Sequence, residues 1–514
     1  MAHAHHHHAA PSVTEGRTGF RRGAAFIIGG LSSGHGVFHS IQQSFIVVLP
    51  EVRNVLLGGD TLVGNLAVTS IQTTREIASG VVALPGGVLT DALRRYWGWV
   101  MAVCMALFGV GWLLMSAAGW QVPGSTWVAG SEPAATSTSL NPVGYTLLLI
   151  GMAVVAIAAS VWHLPAMAAL SSHFTHRRGT VLTFHGVGGN IGDVIGPVLT
   201  GILLLSLAWQ SIITIYAAVP IFLTFLVFWA FRDIGQRAQA AVEEKAVSTM
   251  QTQIAETKLL VRNPRVWGIT VVAGLRGMAY IGFITVLPLY LTDVLGLKTE
   301  GGAKGFENFF FNFLSGTGFR GLLIGLLVFV GIFASPVMGY LSDRFGRKII
   351  LVPGMLFLAV VTLLMAPFGS NLALMTVLLA ALGLFLYSDQ PILTAAAMDI
   401  VREGTAATTL GLLSTSRFIL SAASPIIAGW LYTQEASYLF YYTAVLYVAA
   451  AIILAMIRLP QLAPVDDHHD HQHHDEHGHA PHSADAHDHH GDHDQGHGHD
   501  HHSESGHEGH GHRH

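Results

Sequence analysis

The chain has 514 residues, 51% hydrophobic and 11% charged, with a mean hydropathy of +0.50 and a formal charge of −5. A soluble enzyme of this length carries more charge and shorter apolar runs, so a polytopic membrane protein is the class that remains. The net charge joins two unlike parts. Twelve acidic residues and one basic residue, Arg513, follow Val465, which leaves the body net basic and the tail acidic.

Residues 1–16 contain His3 and His5 to His8 and are set aside from the fold as a possible tag. Apolar runs then predict twelve spans, near 23–50, 61–89, 97–118, 143–171, 179–206, 209–231, 266–294, 320–341, 349–368, 371–397, 405–432 and 436–457. They group into a first half, 17–231, and a second half, 266–459, with a polar linker at 232–265 and a His-rich tail at 460–514. The one cysteine, Cys104, sits inside the third run and reads as a packing thiol; no intrachain disulfide is open to it. Basic residues fall in alternate loops. Arg17, Arg21 and Arg22 precede span one, Arg94 and Arg95 follow span two, Arg177 and Arg178 follow span four, and Arg344, Arg347 and Lys348 follow span eight. The positive-inside rule places these loops and both termini in the cytoplasm, with the protein in a bacterial plasma membrane.

The halves repeat each other in order. Val48-Leu49-Pro50 recurs as Val286-Leu287-Pro288, Gly87 to Asp91 as Gly339 to Asp343, His163-Leu164-Pro165 as Asp389-Gln390-Pro391, and Gly196-Pro197 as Ser424-Pro425. The segment Gly339-Tyr340-Leu341-Ser342-Asp343-Arg344-Phe345-Gly346-Arg347-Lys348 resembles the signature loop of the major facilitator superfamily. A degenerate copy runs from Gly87 through Asp91 to Arg94, with Ala92 in place of the first Arg. In such a gate, glycine permits close helix approach and the acid at a helix end pairs with the basic residues. The resemblance implies an all-α membrane fold of two pseudo-symmetric six-helix halves, with a substrate site between them near the midplane. More narrowly, Ser33-Gly34-His35 through Gln42, Glu76-Ile77-Ala78-Ser79, Val161-Trp162-His163 and Phe184 to Gly192 resemble the fosmidomycin-resistance branch. His39 stands where that branch has Asp, and His185 where it has Gln. The tail is similar to the His-rich segments that end nickel-resistance members of the superfamily.

An ionisable group inside a span costs about 2.5–3.5 kcal/mol or more, so each needs a partner or a task. His35 and His39 are four apart and share one helix face, which suits a two-ligand metal site or a proton relay. With His163, His185 and Asp389 they offer an N/O ligand set for nickel, cobalt or zinc rather than Cu(I), should these side chains converge. Gln42 completes the polar face of span one. Asp193 is either a protonation site or a structural partner of Arg75 or Arg417, and Glu76 is a candidate coupling carboxylate. Arg276 and Arg417 oppose a cationic substrate unless acids such as Asp389 and Asp193 neutralise them.

In the tail, His468, His469, His471, His473, His474, His487, His489, His490, His497, His499, His501 and His502 alternate with Asp and Gly. No fixed spacing defines one site, so several interchangeable modes of divalent-metal binding are expected. The leading expectation is a monomeric, proton-driven exporter of a divalent metal such as nickel or cobalt, needing no cofactor, working in the lipid bilayer with no role for nucleic acid. A second is efflux of a small organic anion, with the tail as an accessory buffer. A third is a membrane-anchored metal buffer or sensor. No phosphate-cradling loop or nucleophile–base pair points to an enzyme.

Overall fold

Within a bilayer every backbone N–H and C=O needs a partner inside the span, so the apolar runs close into helices. The computed structural model describes residues 20–122, 125, 137–236, 263–298, 313–400 and 406–459. The helices are α1 (Ala24–Leu56), α2 (Leu62–Ala92), α3 (Trp97–Trp120), α4 (Pro142–His173), α5 (Arg178–Leu203), α6 (Trp209–Phe231), α7 (Pro264–Asp293), α8 (Thr317–Phe345), α9 (Arg347–Phe368), α10 (Leu372–Leu386), α11 (Asp389–Met398), α12 (Ala406–Ser421), α13 (Ser424–Gln434) and α14 (Tyr438–Met456). They form twelve spans, because α10 and α11 share one and α12 and α13 share another. Several starts are written in sequence: Thr61, Asn141, Asn263 and Asn371 each cap a helix by accepting a backbone N–H two or three residues on.

The tenth and eleventh spans, expected as single runs, are broken. The tenth parts at Tyr387–Ser388, immediately before Asp389, and the eleventh at Ala422–Ala423, just before Pro425. The first break frees the Leu386 carbonyl, which accepts from Arg276 Nη2 at 2.7 Å. The first helix also runs six residues past its expected end, to Leu56, carrying Glu51 and Arg53 into the bundle.

Among the described residues, nine spans are long and apolar enough to cross a membrane by length and composition alone. Helices α1 and α2 fall short because His, Gln, Thr, Arg and Glu interrupt them. Those interruptions make up much of the functional site.

Packing explains how the interruptions meet. Gly188, Gly192 and Gly196 form a four-residue ridge on α5, and a Cβ at any of them would collide with the carbonyl of Ser32, Gly36 or Ser40, a matching ridge on α1. The backbones therefore touch, as small-residue stripes allow in lipid, where van der Waals fit drives helix association. The first six spans meet the last six along α5 with α8 and along α2 with α12 and α13. There Gly201 faces Thr317 and Gly321 without room for a side chain.

Candidate substrate and gating sites

The α1–α5 contact sets His35 and His39 against His185 and Asp193, and α4 brings His163 to the same place. One ring nitrogen each from His35, His39 and His163 lies within 4.8 Å of the others. Ring centroids are 4.4 Å apart for His35–His39, 4.7 Å for His35–His163 and 5.8 Å for His39–His163. Each Nδ1 has an oxygen partner: the His185 carbonyl at 2.7 Å for His35, the Ala159 carbonyl at 2.5 Å for His163 and the Asp193 carboxylate at 2.9 Å for His39. His185 lies flat on His35, 4.2 Å away with planes 9° apart, and backs onto Trp162. It forms a wall of the cluster. Gln42 is half-buried on α1, three residues beyond His39.

Asp193 thus pairs with His39, not with Arg75 or Arg417. The reason is the glycine ridge, which holds Asp193 one residue from the Gly192–Gly36 contact. Asp389 does not join the imidazoles. It is wholly buried and held by Arg276, whose Nε lies 2.9 and 2.8 Å from the two carboxylate oxygens. Gln390 and the freed Leu386 carbonyl take the remaining Arg276 donors. The guanidinium is therefore neutralised in place. Arg417 lies near Glu76, and the buried Glu76 accepts from Ser421 Oγ across the two halves at 3.1 Å. Arg75 reaches only Gln72, at 3.5 Å, among the described residues. Tyr280 and Tyr387 stand between the groups, within electrostatic reach of Asp193 and Arg276.

The signature loop is a clasp within the second half. Arg347 reaches Ser342 at 2.9 Å, Asp399 at 3.2 Å and Asp343. Gly346 turns the chain from α8 into α9 at φ 101°, a backbone that favours glycine. Arg344 is exposed and lies over Phe345, and Arg94 lies over Trp97. Gly87 and Gly339, expected to let helices approach, touch no neighbour: a Cβ added at either would meet nothing within 4 Å. That close packing is not seen among the described residues. The Asp91 side chain and the tail histidines lie outside the described residues.

The opposite end is shut by residues that sequence reasoning passed over. Arg53 of α1 makes a two-pronged pair with Asp293 of α7 at 2.7 and 2.8 Å and also reaches Asn65 and Asp60. Tyr432 of α13 donates to the same Asp293 at 2.8 Å, and Asn65 reaches Thr433. Arg320 of α8 pairs with Glu51 of α1 at 2.6 Å. Both arginines are 0% exposed. Their signal was available: each half carries an acid one to five residues past its Val-Leu-Pro repeat, Glu51 and Asp293.

Residues 31–328 and 315–485 match the family model of the Major Facilitator Superfamily. The chain belongs to that superfamily. Its fold is similar to a nucleoside transporter (TM-score 0.64, 12% identity, covering 84% of this chain and 100% of the other) and to a D-xylose–proton symporter (0.63, 14%, 85% and 98%). Those likenesses speak for the fold alone. Among curated proteins it is 24% identical over 196 residues to the fosmidomycin resistance protein of Escherichia coli (strain K12), covering 38% of this chain and 39% of that one. It is 22% identical over 263 residues to the glycerol-3-phosphate transporter of Bacillus subtilis (strain 168), covering 48% and 55%. The chain thus spans about half or less of these relatives. It is a multi-pass membrane protein of a transporter family, and neither the family nor its structural neighbours point to an enzyme.

Proposed function

We propose that this superfamily member is a proton-coupled exporter of a divalent transition-metal ion, nickel or cobalt first and zinc next. The observation that carries the reading is the convergence of His35, His39 and His163 from two helices onto one point. Imidazole suits these ions, and the cluster holds no thiolate or thioether to favour Cu(I). The chief objection, a bare Arg276 that would repel a cation, weakens because Asp389 neutralises it. The tail would gather ions on the cytoplasmic side, where the positive-inside rule puts it. By the same rule the Arg53–Asp293 end would face outward. Protons returning inward would use the buried carboxylates Glu76 and Asp389 or the Asp193–His39 pair.

The direct test is flux into proteoliposomes under an imposed pH gradient, comparing nickel, cobalt, zinc and a phosphonate. Gradient-driven movement of a metal ion supports the reading; movement of the phosphonate alone overturns it. Efflux of an organic anion is the second reading. It is favoured by Arg417, which has no ion pair within 4 Å among the described residues, and by the similarity to the fosmidomycin resistance protein. Under it, an Arg417 substitution abolishes anion efflux and leaves metal tolerance intact.

A further inference from the structure

We infer that the Nε2 atoms of His35, His39 and His163 form a prearranged three-nitrogen seat for a divalent transition-metal ion, built wholly from the first six spans, with Asp193 orienting a ligand rather than being one. The inference rests on the substrate reading above and narrows it to particular atoms.

A backbone carbonyl can only accept. The nitrogens facing the His185 and Ala159 carbonyls therefore carry protons, which fixes His35 and His163 as Nδ1–H rings. Asp193 as a carboxylate does the same for His39. In each neutral ring the lone pair is then left on Nε2. A free histidine side chain in water favours the opposite tautomer, with the proton on Nε2, so three rings held this way mark a donor set arranged in advance. Metal-bound histidines show this same pattern, the non-ligating nitrogen donating to a carbonyl or carboxylate that fixes the ring. Here every member of the cluster has such a partner.

The spacing fits. Donors around a tetrahedral ion with bonds of about 2.1 Å sit about 3.4 Å apart. One ring nitrogen of each histidine lies within 4.8 Å of the others and the ring centroids are 4.4–5.8 Å apart, so ring rotations are the movement that would bring the three Nε2 atoms to that spacing. Three imidazoles leave the remaining coordination positions to water. The two buried carboxylates among the described residues are engaged elsewhere: Asp389 of the second half is committed to Arg276, and Glu76 of α2 lies with Ser421 and Arg417. Three neutral nitrogens hold a dication less tightly than a site with a ligating carboxylate. That suits cargo that must leave again, and it means the ion would ride with the first half as the two halves rock.

The experiment is a Co²⁺ titration of the full-length detergent-solubilised chain, read by the visible absorption of nitrogen-coordinated cobalt. The tail contributes a background that all variants share. His35→Ala, His39→Ala and His163→Ala should each remove one and the same spectral component, whereas Asp193→Asn should keep its shape and weaken its affinity about 10- to 100-fold. Size-exclusion profiles screen out misfolded variants, and ¹⁵N NMR of labelled histidine in the wild type gives a second readout that needs no substitution: Nδ1–H rings with bare Nε2. Histidine variants whose spectra superimpose on wild type would overturn the inference, as would an Asp193→Asn variant that loses the component entirely. The two levels fail separately. Metal flux with an unchanged spectrum sinks the seat and leaves the exporter; a spectrum that responds without any metal flux does the reverse.

Discussion

Asp293→Asn should unlatch the sealed end. Arg53 is fully buried and spends two of its donors on the Asp293 carboxylate, at 2.7 and 2.8 Å. Asparagine keeps an acceptor there but removes the charge. Stripping one partner from a buried ion pair costs about 3–5 kcal/mol. Asp60, 3.3 Å from Arg53 but with its side chain 59% exposed, recovers part of that, which argues for the low end. About 3 kcal/mol lost from the sealed state alone corresponds to roughly a hundredfold shift toward the state open at that end. Cysteines introduced at Leu62 and Val294, 45% and 40% exposed, place spin labels on either side of the seam, while Cys104 is buried and quiet. Pulsed dipolar spectroscopy should show the distance distribution of the variant gaining a longer component. Glu51→Gln should do so more weakly, since that side chain is 23% exposed. An unchanged distribution in Asp293→Asn protein that retains its melting temperature would refute a latching role.

Gly192→Ala should drive α1 off α5, because its Cβ would strike the Gly36 carbonyl; both thermal stability and cobalt affinity should fall, while Gly29→Ala, which meets nothing within 4 Å, should change stability by no more than about 0.5 kcal/mol. Asp389→Asn should cost about 3–5 kcal/mol by leaving Arg276 buried and unpaired, and replacing both residues with Leu should restore much of the loss in a melting assay. Metal bound by the tail should be strongest above pH 6.5 and fall away below it, because imidazole ligates only when neutral. Equilibrium dialysis of the full chain against one lacking residues 466–514, at pH 7.5 and 5.5, would register the difference closing at the lower pH.

Much of the bundle was legible because lipid leaves a chain few options. Length and hydropathy locate spans, and the basic signature loop names the superfamily. The broken tenth and eleventh spans were not legible, since neither Tyr387-Ser388 nor Ala422-Ala423 is a breaker by composition. The tenth is stabilised by Arg276 taking the Leu386 carbonyl, a contact 110 residues away in sequence. The imidazole cluster was half legible. Spacing put His35 and His39 on one face, but only the packing of α4 on α1, where Trp162 closes on Gly34, brings His163 to them, and only the α1–α5 ridge turns Asp193 to His39. Asp389 stands between two readings. As an acid in a span it reads both as a ligand and as a partner that could neutralise Arg276, and only the fold, which closes the contact 113 residues away, decides for Arg276. Glu51 and Arg53 were missed because a proline at position 50 reads as a helix end, whereas α1 continues through it to Leu56.

That continuation matters for mechanism. One helix carries both the imidazoles and half of the latch: His35 and His39 near its middle, Glu51 and Arg53 near its end. The twelve residues from His39 to Glu51 span about 18 Å at 1.5 Å per residue. Between them the helix is buried at nearly every position from Gln43 to Pro50, so it is gripped on all sides and shifts as a body rather than bending freely. An ion drawing His39 toward His163 would pull on α1 between its two cross-half ion pairs and the α5 ridge. Because the ridge is backbone against backbone, α5 must follow, and α5 is also the helix that meets α8, bearer of Arg320. Occupancy at mid-depth and closure at the sealed end would then be tied through two helices, with no need for a relay of side chains between them.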